Sequence, residues 1–135
     1  MRNRSQLKKE CDRLFSILIR LRDTNNQGRG KCISCPTILS YSEMQCCHFE
    51  VRSNMTLRYD KENCNGGCNR CNVELNGNKN EYEKALIKKG VDIDELKKLG
   101  KSNILLMTYE LDELRQEFSK LCKEFLKDKE FNVMI

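Results

Sequence analysis

The sequence has no long uninterrupted run of apolar residues. The most apolar stretch near its beginning, residues 11–21, is broken by Asp12, Arg13 and Arg20. This pattern excludes a membrane-spanning helix and a secretory signal peptide. We therefore expect a cytoplasmic protein without a membrane partner. The sequence also lacks internal repeats and low-complexity tracts, which excludes a repeat protein.

Apolar residues are also few overall. Of the 135 residues, 39% are hydrophobic and 33% are charged. This composition is too apolar for a disordered chain but allows only a small core. The length corresponds to about one domain. We expect one folded domain whose small apolar core needs a further source of stability.

Basic residues are unevenly distributed. The formal net charge is +5, and the whole excess of Lys and Arg lies in residues 1–31. A basic surface can bind a phosphate backbone through the release of counterions, but the same pattern is also typical of a solvated helix face. Charge alone leaves both interpretations open. The candidate DNA-binding residues in this segment are Arg13 and Arg20.

Two segments show the three- and four-residue spacing of apolar side chains that is typical of amphipathic helices. The first spans residues 3–23, and the second begins at Thr108, a candidate N-cap. The apolar face of the second helix needs a cover, either the first helix or a second copy of the chain. This face contains Leu111, Leu114, Phe118, Leu121, Cys122 and Phe125.

The middle of the chain shows shorter elements. Residues 46–51 and 55–59 have the pattern of two strands joined by a polar turn, which predicts a β-hairpin. Short helices are predicted over residues 69–75, 80–89 and 92–99. The sequence thus divides into three segments. They are a basic N-terminal helix and loop (1–31), a cysteine-rich module (32–78) and a C-terminal helical region (79–135).

Cysteine is the one residue type in clear excess. Nine cysteines cannot all pair as disulfides, and a reducing compartment disfavours disulfides altogether. Two Cys-x-x-Cys pairs instead match the spacing of a tetrahedral four-thiolate zinc site. Because four protein ligands leave no position for water, the site predicts one structural zinc per chain. Its ligands would be Cys32, Cys35, Cys68 and Cys71.

Two features qualify this zinc site. Pro36 follows Cys35 and lacks the N–H that could bond a thiolate. The remaining cysteines are expected to be buried apolar residues or bystanders rather than ligands, but Cys46, Cys47 and Cys64 lie close enough in sequence to the predicted hairpin to leave their role open. The full set of remaining cysteines is Cys11, Cys46, Cys47, Cys64 and Cys122.

The single histidine, His48, lies between the two Cys-x-x-Cys pairs. A lone histidine is usually a surface or core residue, but Asn63 and Asn72 follow it with the layout of a ββα-metal nuclease site. In such a site a neutral imidazole takes a proton from water, and one asparagine orients the ring. A second polar residue helps to hold a divalent cation against the scissile phosphate. The three residues therefore predict a catalytic centre.

Several short segments and single residues of this sequence, in this order along the chain, resemble the phage NinG (Rap) recombination proteins. The resemblance extends from about Leu7 through the C-terminal helix. It implies an HNH-type fold on a four-cysteine zinc site, a phage-encoded protein in a bacterial host cell, and an endonuclease that cuts branched DNA such as D-loops and four-way junctions. The matching strings are residues 18–23, 32–35, 47–49, 57–60, Asn63, 68–72, 77–78 and Tyr82.

The resemblance also implies roles for single residues. His48 would be the general base, and Asn63 and Asn72 would complete an HNN variant of the HNH motif, with Mg²⁺ or Mn²⁺ as the catalytic cofactor. Many HNH nucleases have an aspartate metal ligand directly before the histidine, and NinG proteins usually have glycine there. This chain has Cys47 at that position, and Gly67 where the family tends to have glutamine.

Four further positions match the family. Arg52 and Arg58 are candidate phosphate clamps, because a guanidinium group can hold two phosphate oxygens. The alternative is that they form surface salt bridges with Glu50 or Asp60. Asn78 is expected to cap the following helix, and Tyr82 to pack across the zinc module.

The sequence therefore predicts an α+β protein with a zinc-stabilised, HNH-like ββα-metal core and flanking N- and C-terminal helices. The leading functional hypothesis is a metal-dependent endonuclease that hydrolyses phosphodiester bonds in branched DNA. The alternative is a non-catalytic zinc-ribbon module that binds DNA or recruits other proteins. A third interpretation makes the C-terminal helix a dimerisation surface, so DNA and a second copy of the chain are the expected partners.

Overall fold

A computed structural model describes residues 2–135 as helices packed around two small antiparallel sheets. The strands are β1 (Arg29–Lys31), β2 (Ile38–Ser40), β3 (Gln45–His48) and β4 (Cys64–Gly67), paired as β1–β2 and β3–β4. The helices are α1 (Arg4–Arg22), α2 (Lys79–Lys88), α3 (Ile93–Leu99) and α4 (Thr108–Leu126), with a π-helical turn at Arg70–Glu74. The predicted mixture of helices and small sheets is confirmed.

Helix α1 begins with a complete capping box. The Asn3 side chain accepts a hydrogen bond from the Gln6 backbone N–H, and the Gln6 side chain accepts one from the Asn3 N–H, each at 2.9 Å. These contacts satisfy two of the free amide groups at the helix start. The predicted N-terminal helix is thus confirmed to within a residue at each end.

Helix α4 lies beside α1 and runs in the same direction. Near the start of the pair, Arg4 Nε donates to the Leu106 carbonyl at 3.2 Å. In the middle, Cys11 Sγ donates to the Leu111 carbonyl at 3.1 Å, and beyond the ends Lys129 Nζ donates to the Thr24 carbonyl at 2.7 Å. The apolar face of α4 is therefore covered by α1 of the same chain. The N-cap of α4 is Met107 rather than the predicted Thr108.

The predicted hairpin between residues 46–51 and 55–59 is wrong. Strand β3 pairs instead with β4, where Gln45 is opposite Gly67 and His48 is opposite Cys64. Residues 49–63 form the loop between β3 and β4. Several backbone N–H and C=O groups of this loop form hydrogen bonds with side chains instead of with a neighbouring strand. Asn54 Oδ1 accepts from the Leu57 N–H at 3.1 Å, and Asn63 Nδ2 donates to the Leu57 carbonyl at 3.1 Å. Side chains of the loop itself thus replace the strand pairing that the alternation of residues suggested.

Helices α2 and α3 cover the β3–β4 sheet on the side away from α1. Tyr82 is fully buried, and its hydroxyl donates to the Cys47 carbonyl at 2.7 Å. Its ring packs edge-on against Phe49 with the centroids 5.4 Å apart. The expected packing role of Tyr82 is confirmed. The buried apolar residues of this cluster are Cys47, Phe49, Leu57, Tyr82, Leu86, Ile93 and Leu96.

The residues described by the structure include no helix with the length and apolar character needed to cross a membrane.

Candidate functional site

Four cysteine sulfurs converge where the two sheets meet. Cys32 and Cys35 lie on the turn between β1 and β2, while Cys68 directly follows β4 and Cys71 lies in the π-helical turn. The four sulfur atoms lie within 4.8 Å of one another. Four thiolates at this spacing fit a tetrahedral zinc ion and leave no position for water. The predicted zinc ligands are therefore brought together in the structure.

Burial raises the pKa of Cys32 and raises that of Cys71 to about 12, and hydrogen bonds to the two sulfurs partly offset this effect. The amide N–H groups of Ser34 and Cys68 donate to Cys32 Sγ at 3.4 and 3.3 Å. The side-chain amide of Asn78 donates to Cys71 Sγ at 3.5 Å. Asn78 holds the N-cap position of α2 but makes no side-chain capping bond, so its side chain serves the cysteine cluster and not the helix.

Thr37 provides the hydrogen bonding to the Cys35 sulfur that Pro36, which has no N–H, cannot provide. Its hydroxyl lies 3.3 Å from Cys35 Sγ, at the point of the turn where the proline lacks an N–H. Burial opposes ionisation of Cys35, but hydrogen bonding to Thr37 outweighs it and lowers the pKa of this thiol to about 6. Cys35 is thus prepared for metal binding despite the proline, whereas burial raises the pKa of Cys32.

A cleft of about 390 Å³ lies between α1 and the β3–β4 sheet. It brings together five of the seven residues predicted for catalysis and DNA binding, while Arg13 and Asn63 lie outside its lining. A second hollow of about 370 Å³ shares His48 with the cleft and includes Lys79. The cleft is lined by Asp12, Phe15, Ser16, Arg20, Met44, Gln45, Cys46, His48, Arg52, Arg58, Tyr59 and Asn72.

The His48 ring is held by the backbone. Its Nε2 lies 2.9 Å from the Arg58 carbonyl oxygen. Because a carbonyl oxygen only accepts hydrogen bonds, Nε2 carries the proton and Nδ1 keeps its lone pair. Burial lowers the pKa of His48, and this effect outweighs the hydrogen bond to the Arg58 carbonyl, which raises the pKa. The positive charges of Arg52 and Arg58 lower it further. The imidazole is therefore neutral at pH 7, as a proton acceptor must be.

Asn63 makes no hydrogen bond with the His48 ring, contrary to the prediction that an asparagine orients it. Asn63 is fully buried and accepts a hydrogen bond from the Glu50 N–H at 2.7 Å. It donates to the carbonyls of Glu50 and Leu57, both at 3.1 Å. These bonds hold together the loop between β3 and β4. Arg58, which follows Leu57 in this loop, directs its carbonyl oxygen toward His48. Asn63 is thus a buried residue that holds this loop together.

Arg58 is bound to a residue that sequence reasoning missed. Its Nε and Nη2 donate to the Asp12 carboxylate at 2.8 and 2.6 Å, and its side chain is only 9% exposed. Arg52 and the Tyr59 hydroxyl bond the same carboxylate at 2.9 and 2.7 Å. The expected salt-bridge partners, Glu50 and Asp60, are replaced by Asp12. The Nε, Nη1 and Nη2 groups of Arg58 all donate hydrogen bonds within the protein. Arg58 is therefore not free to act as a phosphate clamp.

Asp12 lacked a sequence signal for this role, because a pairing of α1 with a loop 46 residues away has no local pattern. Its carboxylate is partly buried, which raises its pKa, but hydrogen bonds from Arg58 and Tyr59 outweigh this effect. The net result is a pKa below the usual value of 3.8. Asp12 is thus ionised and fully engaged at neutral pH.

The remaining arginines separate into two groups. Arg20 Nε donates to the Ser16 carbonyl at 3.1 Å, and its guanidinium lies 4.6 Å from the centre of the Tyr41 ring, so it is fixed at the cleft. The Arg52 side chain is 59% exposed at the cleft edge. Arg13 instead pairs with Glu10 at 3.1 Å, away from the cleft. Arg20 and Arg52 therefore lie at the cleft, and Arg13 does not.

Two polar residues beside His48 also lacked a sequence signal. Gln45 Oε1 accepts a hydrogen bond from Asn72 Nδ2 at 2.7 Å, which links β3 to the π-helical turn. Lys79 Nζ donates to the His48 carbonyl at 3.0 Å and also to the Phe49 carbonyl. Asn72 thus reaches the cleft as predicted, but its side-chain N–H is bonded to Gln45.

Cys47 does not point into the cleft, although it holds the position of a metal ligand in many HNH nucleases. Successive strand residues face opposite sides, so Cys47 lies on the face of β3 away from His48. Burial raises the pKa of its thiol strongly. A Cβ atom at Gly67 would lie only 2.6 Å from Cys47 Sγ. The cysteine at position 47 and the glycine at position 67 therefore fit each other sterically.

Among the residues described by the structure, Asp12 is the one carboxylate that lines the cleft. The other oxygen donors of side chains there include the amides of Gln45 and Asn72. Mg²⁺ and Mn²⁺ prefer carboxylate, carbonyl and water oxygens, and Asp12 is already held by Arg52, Arg58 and Tyr59. The protein side of the cleft therefore fits such a cation poorly.

The fold and these sites define a small α+β protein with a four-cysteine cluster of the zinc-binding type and a basic cleft around one histidine. The chain belongs to the NinG family, since the model of that family, described as bacteriophage lambda NinG protein, matches residues 1–130. The family resemblance stated from the sequence is confirmed. No curated protein and no solved structure matches the chain.

Proposed function

We propose that this protein is a metal-dependent DNA endonuclease of phage recombination that hydrolyses phosphodiester bonds in branched intermediates. Membership of the NinG family points to phage recombination. The antiparallel β3–β4 pair followed by the π-helical turn supports an HNH-like ββα core with His48 on the first strand. The preferred substrates would be D-loops and Holliday-type four-way junctions.

The observation that carries the proposal is the fixed, neutral His48 ring in a cleft edged by arginines. Nδ1 of His48 would take a proton from a water molecule as the water oxygen attacks phosphorus. The phosphorus bond to the opposite ester oxygen then breaks, and that oxygen leaves and is protonated by solvent. General-base catalysis of this kind contributes about 10²- to 10⁴-fold to a rate.

The substrate-binding part of the proposal rests on Arg20 and Arg52. Both border the cleft that contains His48, and Arg52 also borders the second hollow beside Lys79. A phosphate backbone that crosses His48 would thus meet a guanidinium group in the cleft and basic side chains in the hollow. These contacts would orient the scissile phosphate toward Nδ1.

A divalent cation such as Mg²⁺ or Mn²⁺ supplies, when bound, stabilisation of the negative charge that develops on the phosphate. Asp12 is engaged by arginines, and Gln45 Oε1 accepts a hydrogen bond from Asn72, so the protein offers few free oxygen ligands in the cleft. Such a cation would therefore depend on DNA phosphate oxygens for most of its ligands. The steps assigned to His48, Arg20 and Arg52 do not depend on its position.

The scarcity of carboxylates in the cleft favours a second candidate function. A zinc-ribbon module that binds or recruits other factors to DNA would need the four-cysteine cluster and the basic cleft, but no cation ligands. His48 would then be a structural residue that links β3 to the Arg58 carbonyl. The two functions differ in whether DNA is cut.

The test compares the zinc-loaded wild type with His48→Ala on labelled duplex, single-stranded, D-loop and four-way-junction DNA with added Mg²⁺ or Mn²⁺. We expect branched DNA to be cut by the wild type and cutting by His48→Ala to fall by at least about 10²-fold. Arg13→Ala serves as the matched control, because Arg13 lies away from the cleft, and it should cut like the wild type.

Equal cutting by the His48→Ala protein would overturn the role of His48 as general base. Tight binding of branched DNA without cutting under either metal would favour the zinc-ribbon module instead. Zinc content and DNA affinity of each variant, measured in the same preparations, separate loss of chemistry from loss of folding.

A further inference from the structure

Two cysteines outside the zinc cluster lie beside His48. Strands β3 and β4 pair so that His48 is directly opposite Cys64, and Cys46 precedes His48 by two residues on the same face of β3. The two sulfur atoms and an imidazole nitrogen lie within 4.8 Å of one another. The antiparallel register thus gathers two thiols and an imidazole on the face of the sheet that borders the cleft.

The backbone holds this group in place. The Arg58 carbonyl lies 2.9 Å from His48 Nε2 and 3.7 Å from Cys64 Sγ, so one oxygen accepts from both side chains. A histidine that binds a metal through one nitrogen commonly donates its other N–H to a backbone carbonyl, which fixes the ring. His48 already has that outer partner.

We propose that Cys46, Cys64 and His48 form a second metal site, specific for thiophilic ions such as Zn²⁺ and distinct from the four-cysteine cluster. Two sulfurs and one nitrogen are the ligands that Zn²⁺ prefers and that Mg²⁺ avoids. Three protein ligands leave one tetrahedral position for water or another small ligand. Zn²⁺ would displace the two thiol protons to solvent, and the two thiolates would balance the charge of the ion.

The structure gives this site an entrance from solvent. Cys46 and His48 are both partly exposed, and both line the cleft as well as the hollow beside Lys79. Cys64 is fully buried behind them. An ion can therefore enter through the cleft or through the hollow beside Lys79 and reach the buried sulfur last.

A bound metal ion would change the chemistry of His48. The lone pair of the imidazole can bind a metal ion or accept a proton from water, but not both at once. On the basis of the proposed nuclease function, occupancy of the second site by zinc inhibits cutting. The same three residues would thus make the nuclease sensitive to free zinc, while the structural zinc at the four-cysteine cluster stays bound.

The binding test is a titration of the metal-free full-length protein with Co²⁺ under a phosphine reductant, followed by absorption spectroscopy. Co²⁺ reports sulfur ligands through charge-transfer bands. We expect a first equivalent at the four-cysteine cluster and a second, weaker equivalent with its own sulfur-to-metal bands. Cys46→Ala and Cys64→Ala should each lose the second equivalent and keep the first, which also reports that the variant has folded.

Cys122→Ala is the matched control, because Cys122 is a fully buried cysteine in the α1–α4 interface, where its thiol donates to the Leu14 carbonyl. It should keep both equivalents. A wild type that binds a single equivalent would overturn the proposal, and so would a second equivalent that survives both Cys46→Ala and Cys64→Ala. If Cys64→Ala does not fold, Cys46→Ala decides the test alone.

The functional test adds Zn²⁺ to the wild type during cleavage with Mn²⁺. We expect cutting to fall as the second site fills, over the same zinc concentrations that give the second equivalent in binding. Cutting that is unchanged or that rises over this range would overturn the inhibitory role. If the protein cuts no DNA under any condition, the proposed nuclease function fails, while the Co²⁺ titration still decides whether the second metal site exists.

Discussion

Asp12 connects two elements, α1 and the loop between β3 and β4, through one carboxylate group. It lies on α1 and accepts hydrogen bonds from Arg52, Arg58 and Tyr59, all of which belong to the loop between β3 and β4. This loop also supplies the carbonyl that holds His48. A residue with no metal or catalytic motif of its own therefore determines how the cleft is built.

Replacement of Asp12 by asparagine is expected to lower the free energy of unfolding by about 3 kcal/mol at pH 7, because it leaves the buried Arg58 without its anionic partner. The pKa of Asp12 lies below its ordinary value of 3.8 in the folded protein. Its stabilisation is thus complete above about pH 3.8 and is lost as the pH falls through the folded pKa. The difference between wild type and Asp12→Asn should narrow over that range.

Urea denaturation of both zinc-loaded proteins between pH 7 and pH 3 measures this difference, since loss of zinc at low pH affects both alike. Asp128→Asn is the control, because Asp128 is exposed beyond α4, and it should stay within about 0.5 kcal/mol of the wild type. A difference for Asp12→Asn that does not change with pH would show that the carboxylate charge contributes nothing.

Arg13 and Arg20 were equivalent by sequence, since both lie off the apolar stripe of the same helix. The structure places Arg20 at the cleft and pairs Arg13 with Glu10. If DNA binds in the cleft, Arg20→Ala should weaken binding and reduce the slope of log affinity against log salt by about 1. Arg13→Ala should leave the slope unchanged. Equal slopes for the two variants, measured by fluorescence anisotropy, would place the DNA elsewhere.

At the scale of elements, the β3–β4 pair places different residues on its two faces. One face carries Cys46, His48 and Cys64 toward the cleft, while Cys47 lies on the other face beside Gly67. NinG proteins tend to have glycine at position 47 and glutamine at position 67. In this chain the glycine is instead at position 67, on β4, and the Cys47 sulfur on β3 fills the space beside it.

This steric relation predicts a coupling between the two positions. A Cβ at Gly67 would lie 2.6 Å from Cys47 Sγ, so Gly67→Ala should lower the free energy of unfolding by about 1–3 kcal/mol. In a Cys47→Gly background the same change should cost clearly less, because the obstructing sulfur is gone. Urea unfolding of the zinc-loaded wild type, both single variants and the double variant gives the coupling energy.

Gly100→Ala is the matched control for this cycle. A Cβ at Gly100 would meet its nearest neighbours at 3.4 Å, and this glycine has an ordinary helical φ of −66°. Its substitution should change stability by less than about 0.5 kcal/mol. Additive effects of the changes at positions 47 and 67 would contradict the steric explanation.

At the scale of the whole molecule, α1 and α4 form the main apolar core. Phe118 of α4 is 2% exposed, and its ring centre lies 5.1 Å from that of Phe15 and 5.7 Å from that of Tyr59. Phe15 and Tyr59 also line the cleft. The C-terminal helix thus supports the site from behind, although it contributes no residue to it.

Phe118→Ala should lower the free energy of unfolding by about 3–5 kcal/mol, because it leaves a cavity between α1, α4 and the loop. Tyr109→Ala is the control on the same helix, since Tyr109 is 65% exposed, and it should have little effect. Thermal and urea unfolding measure both. A small effect for Phe118→Ala would mean that α4 is not part of the cooperative core.

This packing also bears on the oligomeric state. The apolar face of α4 was predicted to need either α1 or a second copy of the chain, and α1 covers it. That face therefore gives no argument for a dimer. The homodimer stays a prediction, which light scattering of the full-length protein tests directly.

The sequence by itself determined the features that depend on local spacing. The amphipathic pattern located α1 and α4, and the two Cys-x-x-Cys pairs identified the four sulfurs that converge, because each pair needs only a short turn. The order of residues around His48 also matched the family. These signals are local in the chain, so no knowledge of distant contacts was required.

Only the tertiary structure decided what depends on contacts between distant segments. The pairing of β3 with β4 placed Cys46 and Cys64 beside His48 and turned Cys47 away. The Asp12 carboxylate converted Arg58 from a candidate phosphate ligand into a buried structural residue. The contact between Asp12 and Arg58, for example, joins residues that are 46 positions apart. Such contacts are selected by the packing of the whole chain, which no local pattern of residues encodes.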